Sequence, residues 1–273
     1  MTYSARETSA DLGAPFELFE FVRGVQRWRY TSADRNIVWN TNTYVAAAIA
    51  RSAIEVGQEI GRQGLRISVP RDLGIVDNFR VAAPSDPIVV NIWQSHQGDP
   101  DAEFVVVWQG RILGIDWQGI EAQIQCESVF TSLRRAGLRR AWQRTCPHVL
   151  YGTECKVARI SYQVNAVLSG VAGAVLTSAA FAAPGAGYFF GGYVEFLTPN
   201  AVTERRPIVA HGTTDITLDR AIPGLAVGAT VAAFPGCDHT TGAAGCTRFA
   251  NILNYGGTPY IPTKNPFAGD PIY

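Results

Sequence analysis

The chain has no net charge and almost no methionine. Lys and Arg together number 23, as do Asp and Glu, so no overall field draws the chain toward nucleic acid or a membrane surface. Its one Met is the first residue, so a core must be built from Val, Ile, Leu, Phe, Tyr and Trp, a set that favours strands. The 27 Gly and 15 Pro provide for many turns. We expect a mainly β fold.

Two kinds of apolar segment are also missing. The first residues, MTYSARETSADLGAPFELFEF, have no basic region followed by an apolar stretch, so we expect no secretory signal, and a disulfide framework is not the default interpretation of the five cysteines. The run 160–194 carries no charged residue, but six glycines and a proline interrupt it. A membrane-spanning helix needs about 20 mostly apolar residues in a row. We therefore expect strands and loops there, and no stable membrane insertion.

Sequence signatures of catalysis are absent as well. The chain contains no Gly-x-Ser-x-Gly elbow, no P-loop and no His-Glu-x-x-His motif. The acidic residues of HQGDPDAEF (Asp99, Asp101 and Glu103) fit a solvated loop better than a glycosidase pair or a calcium loop. We expect a protein that is not an enzyme.

Short β-like segments joined by turn residues predict strands along most of the chain. These segments are PFELFEFV, QRWRYTS, NIVWN, TYVAAAIA, LRISVP, IVVNIWQSH, YQVNAVL, YFFGGYVEFL, RRPIVAH, TDITLD and ATVAAF. The run EFVVVWQGRILGIDWQGIEAQIQCESV predicts a three-stranded antiparallel meander with turns at Gln109-Gly110 and Gln118-Gly119. Cys126 lies in its last strand, where a free thiol packs as a small hydrophobe.

Residues 128–145 differ, because they predict a helix-like stretch that carries five arginines. The arginines are Arg134, Arg135, Arg139, Arg140 and Arg144. Arg contacts phosphates, but the chain is neutral overall, and Trp142 is the only aromatic residue interleaved with these arginines. We expect ion pairs with acids of this chain or of a neighbouring subunit, and no specific nucleic-acid recognition.

Four cysteines form two pairs with the same spacing. Eight residues separate Cys146 from Cys155, and eight separate Cys237 from Cys246. Four converging thiolates are compatible with zinc, an iron–sulfur cluster or two disulfides, and unliganded thiols are a further possibility. Structural zinc usually has two to four residues between paired ligands, and the familiar ferredoxin spacings do not match either. Spacing alone leaves these alternatives open.

A histidine lies two residues beyond the first cysteine of each pair. His148 and His239 occur in CPH and CDH, positions that a mixed Cys/His zinc site could use. Because four cysteines already suffice for a closed site, we expect both imidazoles to hydrogen-bond the sulfurs, the backbone or solvent and so to orient the centre.

Three long segments resemble a known family. They are YTSADRNIVWNTNTYVAAAIARSAIEVGQEIGRQGLRISVPRD, ESVFTSLRRAGLRRAWQRTCPHVLYGTEC and the C-terminal GCDHTT…C…F.N..NYGGTPYIP. They resemble phage-tail proteins related to tail-tip protein L of lambda-like phages and the hub proteins of gene transfer agents. The resemblance implies a virion structural protein with a [4Fe–4S] cluster. The implied ligands are Cys146, Cys155, Cys237 and Cys246.

The expected architecture follows from the strands and the resemblance together. We predict a barrel-like N-terminal β hub region over residues 1–145 and a C-terminal cysteine-cluster module over 146–273. A small β-domain, residues 156–236, is predicted to be inserted in that module, with the cluster as a structural staple at its neck.

The expected function is a structural component of the tail tip or baseplate hub of a long-tailed phage (siphophage). The resemblance implies a homotrimer in the virion, assembled in the host cytoplasm. Its partners would be distal tail, central fibre or hub, and tape-measure proteins. Two alternatives share the four-cysteine site, namely an iron–sulfur redox protein and a zinc-stabilised binding module.

Overall fold

The fold is known from a computed structural model, which describes residues 3–54, 64–80, 83–134, 137, 141–198 and 201–262. By packing, the chain divides into two compact units. One comprises Met1–Arg135 with Pro199–Val202, and the other comprises Ala136–Thr198 with Thr203–Tyr273. Each unit contains a large β-sheet, so the predicted mainly β fold is confirmed. The domain limits drawn at 145/146 and at 156–236 stay predictions.

The first unit contains a nine-stranded sheet. A short helix, α1 (Tyr3–Glu7), precedes it. Its strands are β1 (Pro15–Arg23), β2 (Gln26–Thr31), β3 (Ile37–Trp39), β4 (Asn42–Ala46), β5 (Ala50–Arg51), β6 (Gly64–Pro70), β7 (Val89–His96), β8 (Val105–Gln118) and β9 (Glu121–Ser128). Their order in the sheet is β3-β4-β2-β1-β7-β8-β9-β6-β5. The neighbours pair antiparallel, except that β2 and β4 are parallel.

This sheet curls around its apolar core. Four strands separate β1 from β5 in the sheet, yet Arg51 Nη2 on β5 lies 2.6 Å from Glu17 Oε1 on β1. Such a contact requires the sheet to bend back on itself. The enclosed side chains belong to strands across the sheet and include Phe19, Phe21, Leu65, Ile67, Val90, Ile92, Ile124 and Cys126.

The predicted three-stranded meander is wrong in one of its two turns. β8 is a single strand of 14 residues that continues through Gln109 and Gly110. Position 110 has room only for glycine, because a Cβ there would lie 2.1 Å from the carbonyl oxygen of Glu127 and 2.3 Å from the Trp108 ring. The turn at Gln118-Gly119 does form, and Gly119 adopts the positive φ of 58° that this turn requires.

The predicted helix-like stretch is observed as a 3₁₀ helix over Val129–Arg134. Residues 141–145 are not helical. Arg135, Arg139 and Arg140 lie outside the described residues, as does the side chain of Arg134, so their predicted ion pairs stay predictions.

The second unit contains a seven-stranded sheet. Its strands are β10 (Val164–Val167), β11 (Gly170–Ala172), β12 (Val175–Thr177), β13 (Tyr193–Leu197), β14 (Thr203–His211), β15 (Asp215–Leu218) and β16 (Thr230–Phe234). Their order is β10-β16-β13-β14-β15-β12-β11. Short 3₁₀ helices cover Arg159–Tyr162, Ala179–Phe181 and Ile252–Asn254. A core with Phe181, Phe189 and Ile216 at its centre supports the sheet.

The charge-free run 160–194 belongs to this unit. It supplies the strands β10, β11 and β12 and the turns that follow them, as its glycines suggested. No helix within the described residues is both long enough and apolar enough to cross a membrane.

Candidate metal centre

The four cysteines of the two pairs flank the seven-stranded sheet. Cys146 and Cys155 precede β10, while Cys237 and Cys246 follow β16. β10 and β16 are antiparallel neighbours, with Val164 opposite Ala233. The chain therefore enters and leaves the sheet at the same place, and this pairing brings the two cysteine segments together. We call residues 143–157 and 235–258 the cysteine module.

Backbone contacts join the first cysteine segment to the second. The Cys146 N–H donates to the His239 carbonyl oxygen over 2.8 Å. The His239 Nδ1 lies 2.9 Å from the Cys146 carbonyl oxygen and donates to it in that tautomer. His239 adopts a φ of +61°, an uncommon conformation for a residue with a side chain. His239 thus holds the two segments in register.

Three sulfurs accept hydrogen bonds from N–H groups of the module. The His239 N–H donates to Cys237 Sγ over 3.3 Å, and the Gly256 N–H donates to Cys146 Sγ over 3.4 Å. The side-chain amide of Asn251 donates to Cys155 Sγ over 3.6 Å. Such donors stabilise the thiolate, which is the form of cysteine that binds a metal.

The thiols influence one another electrostatically. The pKa of Cys246 is raised to about 11, first by burial and then by Cys237, Cys146 and Cys155. Burial also raises the pKa of Cys237, against the effect of the His239 N–H. Grouped thiolates repel one another, and a cationic centre offsets that repulsion when it displaces their protons.

The loop between Cys237 and Cys246 packs so closely that one of its glycines has no room for a side chain. Neither Gly242 nor Gly245 has a positive φ. A Cβ on Gly245 would lie 2.0 Å from the Thr240 carbonyl oxygen and 2.4 Å from Asp238 Oδ1. Asp238 Oδ1 also accepts from the backbone N–H and hydroxyl of Thr240, both at 2.9 Å. The loop is therefore tightly folded on itself.

His148 lies against the segment that follows the second pair. Its Nδ1 is 3.0 Å from the Asn254 carbonyl oxygen, and its Nε2 is 3.7 Å from Glu154 Oε2. A Cβ on Gly256 would lie 2.3 Å from the His148 Nε2. The ring thus packs on the residue whose N–H reaches Cys146. The proposed orienting roles of His148 and His239 stay predictions.

Aromatic residues attach the module to the sheet. Tyr151 contacts Phe234, at the end of β16, and Phe249 in edge-to-face geometry, and its hydroxyl donates to the Pro235 carbonyl oxygen over 2.9 Å. Phe249 and Cys155 are buried together. Arg248 Nη1 donates to the Tyr188 and Gly236 carbonyl oxygens at 2.9 and 3.1 Å. These contacts fix the loop beside the exit of the sheet.

None of the five cysteines takes part in a disulfide. Among the described residues, no three His, Cys, Asp or Glu side chains are arranged to hold a metal ion. The assignment of Cys146, Cys155, Cys237 and Cys246 as ligands therefore stays a prediction. The donor set itself suits a soft metal or a cluster, because it consists of sulfurs with N–H donors aimed at three of them.

Cys126 is a core residue of the first unit, as predicted. It is 3 % exposed within the core of the first unit. Burial raises the pKa of its thiol to about 12, so it behaves as a small apolar residue.

Sequence reasoning missed the residues of the segment 248–256. Asn251, Gly256 and Tyr255 contact the cysteines or their partners, and the Tyr255 hydroxyl donates to the Arg144 carbonyl oxygen. The segment was noted as part of the motif F.N..NYGG, but its contacts depend on a backbone turn that the motif does not reveal.

Two family models match the chain. The model described as "Baseplate hub protein, N-terminal attachment domain" covers residues 19–158, which is 140 of the 273 residues. The model described as "Phage conserved hypothetical protein BR0599" covers residues 187–265 and includes the second cysteine pair. These matches confirm the resemblance to phage tail-tip and hub proteins.

A curated relative and a solved structure are also similar. An uncharacterised protein of Xylella fastidiosa (strain 9a5c) is 29 % identical over 185 residues, which is 63 % of this chain. The match spans 38 % of that relative's length. A chain from the virion of a native gene transfer agent particle has the same fold, with a TM-score of 0.82 at 20 % identity. The superposition covers 99 % of this chain and 96 % of the other.

Proposed function

Because the chain belongs to the family of baseplate hub proteins with this N-terminal attachment domain, we propose that it is a structural component of the tail tip or baseplate hub of a long-tailed phage particle. The observation that carries the proposal is the attachment-domain match over residues 19–158. A baseplate hub is part of the virion, so the chain is a virion protein. The family is structural and is not a class of enzymes.

The second element of the proposal is a [4Fe–4S] cluster held by Cys146, Cys155, Cys237 and Cys246. Support comes from the pairing of β10 with β16, which brings the two cysteine segments together, and from the N–H groups directed at three of the sulfurs. When bound, the cluster would supply four metal–thiolate bonds that join the segment entering the seven-stranded sheet to the segment leaving it. Four protein ligands leave no position for a substrate, so the cluster is structural or electron-transferring, and we propose the structural role.

Zinc is the competing occupant of the same four sulfurs. It would form the same staple, with one ion in place of four irons. A redox protein built on the cluster would need a partner that donates electrons. The family match supports neither alternative, because its description is that of an attachment domain.

We further propose that the hub is a homotrimer in contact with distal tail, central fibre or hub, and tape-measure proteins. Closed rotational symmetry is the usual arrangement of identical subunits. The segment after the second cysteine pair offers apolar contact surface, since Leu253 is fully exposed and Tyr260 is 95 % exposed. Native mass spectrometry of the purified chain should give a trimer, whereas a stable monomer at micromolar concentration would contradict this step.

Labelling of assembled particles tests the hub role directly. An epitope tag on the chain, detected with gold-conjugated antibody by electron microscopy, is expected at the tip of the tail. Particles made without the chain are expected to lack that tip. Label on the capsid or along the tail shaft would overturn the proposal. A tagged particle that retains infectivity is the control for correct assembly.

A further inference from the structure

Asn251 occupies a turn that closes behind the second cysteine pair. The Asn251 N–H donates to the Cys246 carbonyl oxygen over 3.0 Å, and the Ala250 N–H donates to Thr247 over 3.1 Å. Ala250 has a left-handed φ of 49°. This combination of bonds is that of a Schellman closure, in which a left-handed residue reverses the chain. The reversal points the Asn251 side chain back toward the first cysteine pair.

The side-chain amide of Asn251 contacts Cys155 at two atoms. Its Nδ2 donates to the Cys155 carbonyl oxygen over 2.5 Å and to Cys155 Sγ over 3.6 Å. One residue thus joins Cys246, through its backbone, to Cys155, through its side chain. The other N–H donors to the cysteine sulfurs named above are backbone groups, which side-chain substitution leaves in place.

Asn254 fixes the orientation of this amide. Its Nδ2 donates to Asn251 Oδ1 over 2.6 Å, which directs the Nδ2 of Asn251 toward Cys155. The Asn254 carbonyl oxygen lies 3.0 Å from His148 Nδ1. The amide of Asn251 is therefore held from behind and cannot turn its oxygen toward the sulfur without losing that bond.

We infer that Asn251 is a positioning residue for the Cys155 ligand and that its amide tunes the reduction potential of the bound centre. This inference rests on the proposed cluster. Hydrogen bonds to ligand sulfurs make an iron–sulfur cluster easier to reduce, because they offset negative charge on the thiolates. Partners of metal ligands also set metal retention, and their loss typically weakens binding by about 10–100-fold.

The test compares Asn251→Asp and Asn251→Ala with the wild-type chain, all purified without oxygen. Asp keeps the shape but places a carboxylate where the N–H donor was, whereas Ala only removes the donor. The midpoint reduction potential should become more negative in the order wild type, Asn251→Ala, Asn251→Asp. Iron release to a chelator should be fastest for Asn251→Asp, by about 10-fold or more. Asn165→Asp, an exposed position on β10, is the matched control and should match wild type.

The outcomes separate the two proposals. A wild-type chain that holds no iron overturns the cluster and this inference together. A loaded wild type with unchanged potentials and release rates in both variants overturns the role of Asn251 and leaves the cluster standing. If neither variant folds, Asn254→Ala provides the decision, since it leaves the amide of Asn251 present but unsupported. It should shift the potential in the same direction by less, and no shift would overturn the inference.

Discussion

The seven-stranded sheet and the cysteine module lie side by side in one unit but are stabilised in different ways. Among the described residues, thirteen buried side chains form the core of the sheet. In the part of the chain that the structure describes, the corresponding apolar cluster at the module has Cys155, Val157 and Phe249 as its buried members. The module is instead a set of turns held by polar contacts around sulfurs.

This difference is the physical reason for proposing a bound group at the cysteine module. Burial of apolar surface stabilises a protein by about 25 cal/mol per Å², so the sheet has its own source of stability. The module has little apolar surface to bury and groups thiols that disfavour one another's charge. The proposed metal or cluster would order this module as metals order small metal-stabilised domains.

The largest effect is expected from Cys155→Ser. Loss of one ligand should remove iron from the chain and abolish protection of residues 143–157 and 235–258 against hydrogen exchange, while the strands β10–β16 remain protected. Hydrogen exchange followed by mass spectrometry measures both regions in one sample. Cys126→Ala, which removes a thiol buried in the core of the first unit, is the control and should keep its iron. Full protection of the module in Cys155→Ser would contradict the comparison.

The opposite result is expected from Phe181→Ala. Its ring is fully buried in the sheet and packs edge-to-face on Phe189 at 5.9 Å. The substitution should lower the free energy of unfolding of the sheet by about 3–5 kcal/mol. Iron content per chain should stay at the wild-type value, provided that unfolding is measured in denaturant and iron in its absence. If Phe181→Ala lowered the iron content per chain as well as the free energy of unfolding, the two regions would not differ as described.

Alanine substitutions at two glycines of the loop should have different effects, because only one of the two positions lacks room for a Cβ. A Cβ on Gly245 would lie 2.0 Å from a backbone oxygen, so Gly245→Ala must open the loop between Cys237 and Cys246. Overpacking of this kind costs about 1–3 kcal/mol, and we expect faster iron release to a chelator. Gly242→Ala is the matched control, because its nearest contact is the Thr240 hydroxyl at 3.1 Å. Equal release rates for the two variants would refute the packing argument.

The smallest effect is expected from Ala250→Gly. A left-handed φ costs an alanine roughly 1–2 kcal/mol, and glycine adopts it freely at an entropic cost of about 0.5–1 kcal/mol. The substitution should therefore stabilise the module slightly, by about 0.5–1 kcal/mol. Thermal release of iron should shift to a higher temperature. A downward shift would show that Ala250 does not carry this strain.

The strands were predictable because their pattern is local. In β1 the apolar residues Phe16, Leu18, Phe19 and Phe21 are buried and the two glutamates between them are less buried; Leu18 and Phe19 are adjacent and belong to different apolar clusters. The error at Gln109-Gly110 has a physical reason. A glycine that leaves room for a tryptophan ring cannot be told from a turn glycine by its sequence context. Gly110 and Gly119 both follow Trp-Gln, and only the packing across β8 and β9 distinguishes them.

The four cysteines could be singled out from the sequence, whereas their supporting residues could not. Their assignment as ligands came from the family resemblance and stays a prediction, and the pairing of β10 with β16 explains why the two cysteine segments meet. The role of Asn251 depends on the left-handed conformation of Ala250, which few alanines adopt. No rule that uses sequence alone would have placed that turn, and without it the amide of Asn251 has no reason to approach Cys155.

The most direct test of the central claim is an assay of iron and acid-labile sulfide, with a visible spectrum, on wild-type chain purified without oxygen. The account predicts roughly four irons and four sulfides per chain and a broad absorbance that bleaches on reduction. One zinc per chain would contradict the cluster and keep the staple. No metal, with all four thiols of the module open to titration, would contradict the claim that Cys146, Cys155, Cys237 and Cys246 hold this part of the protein together.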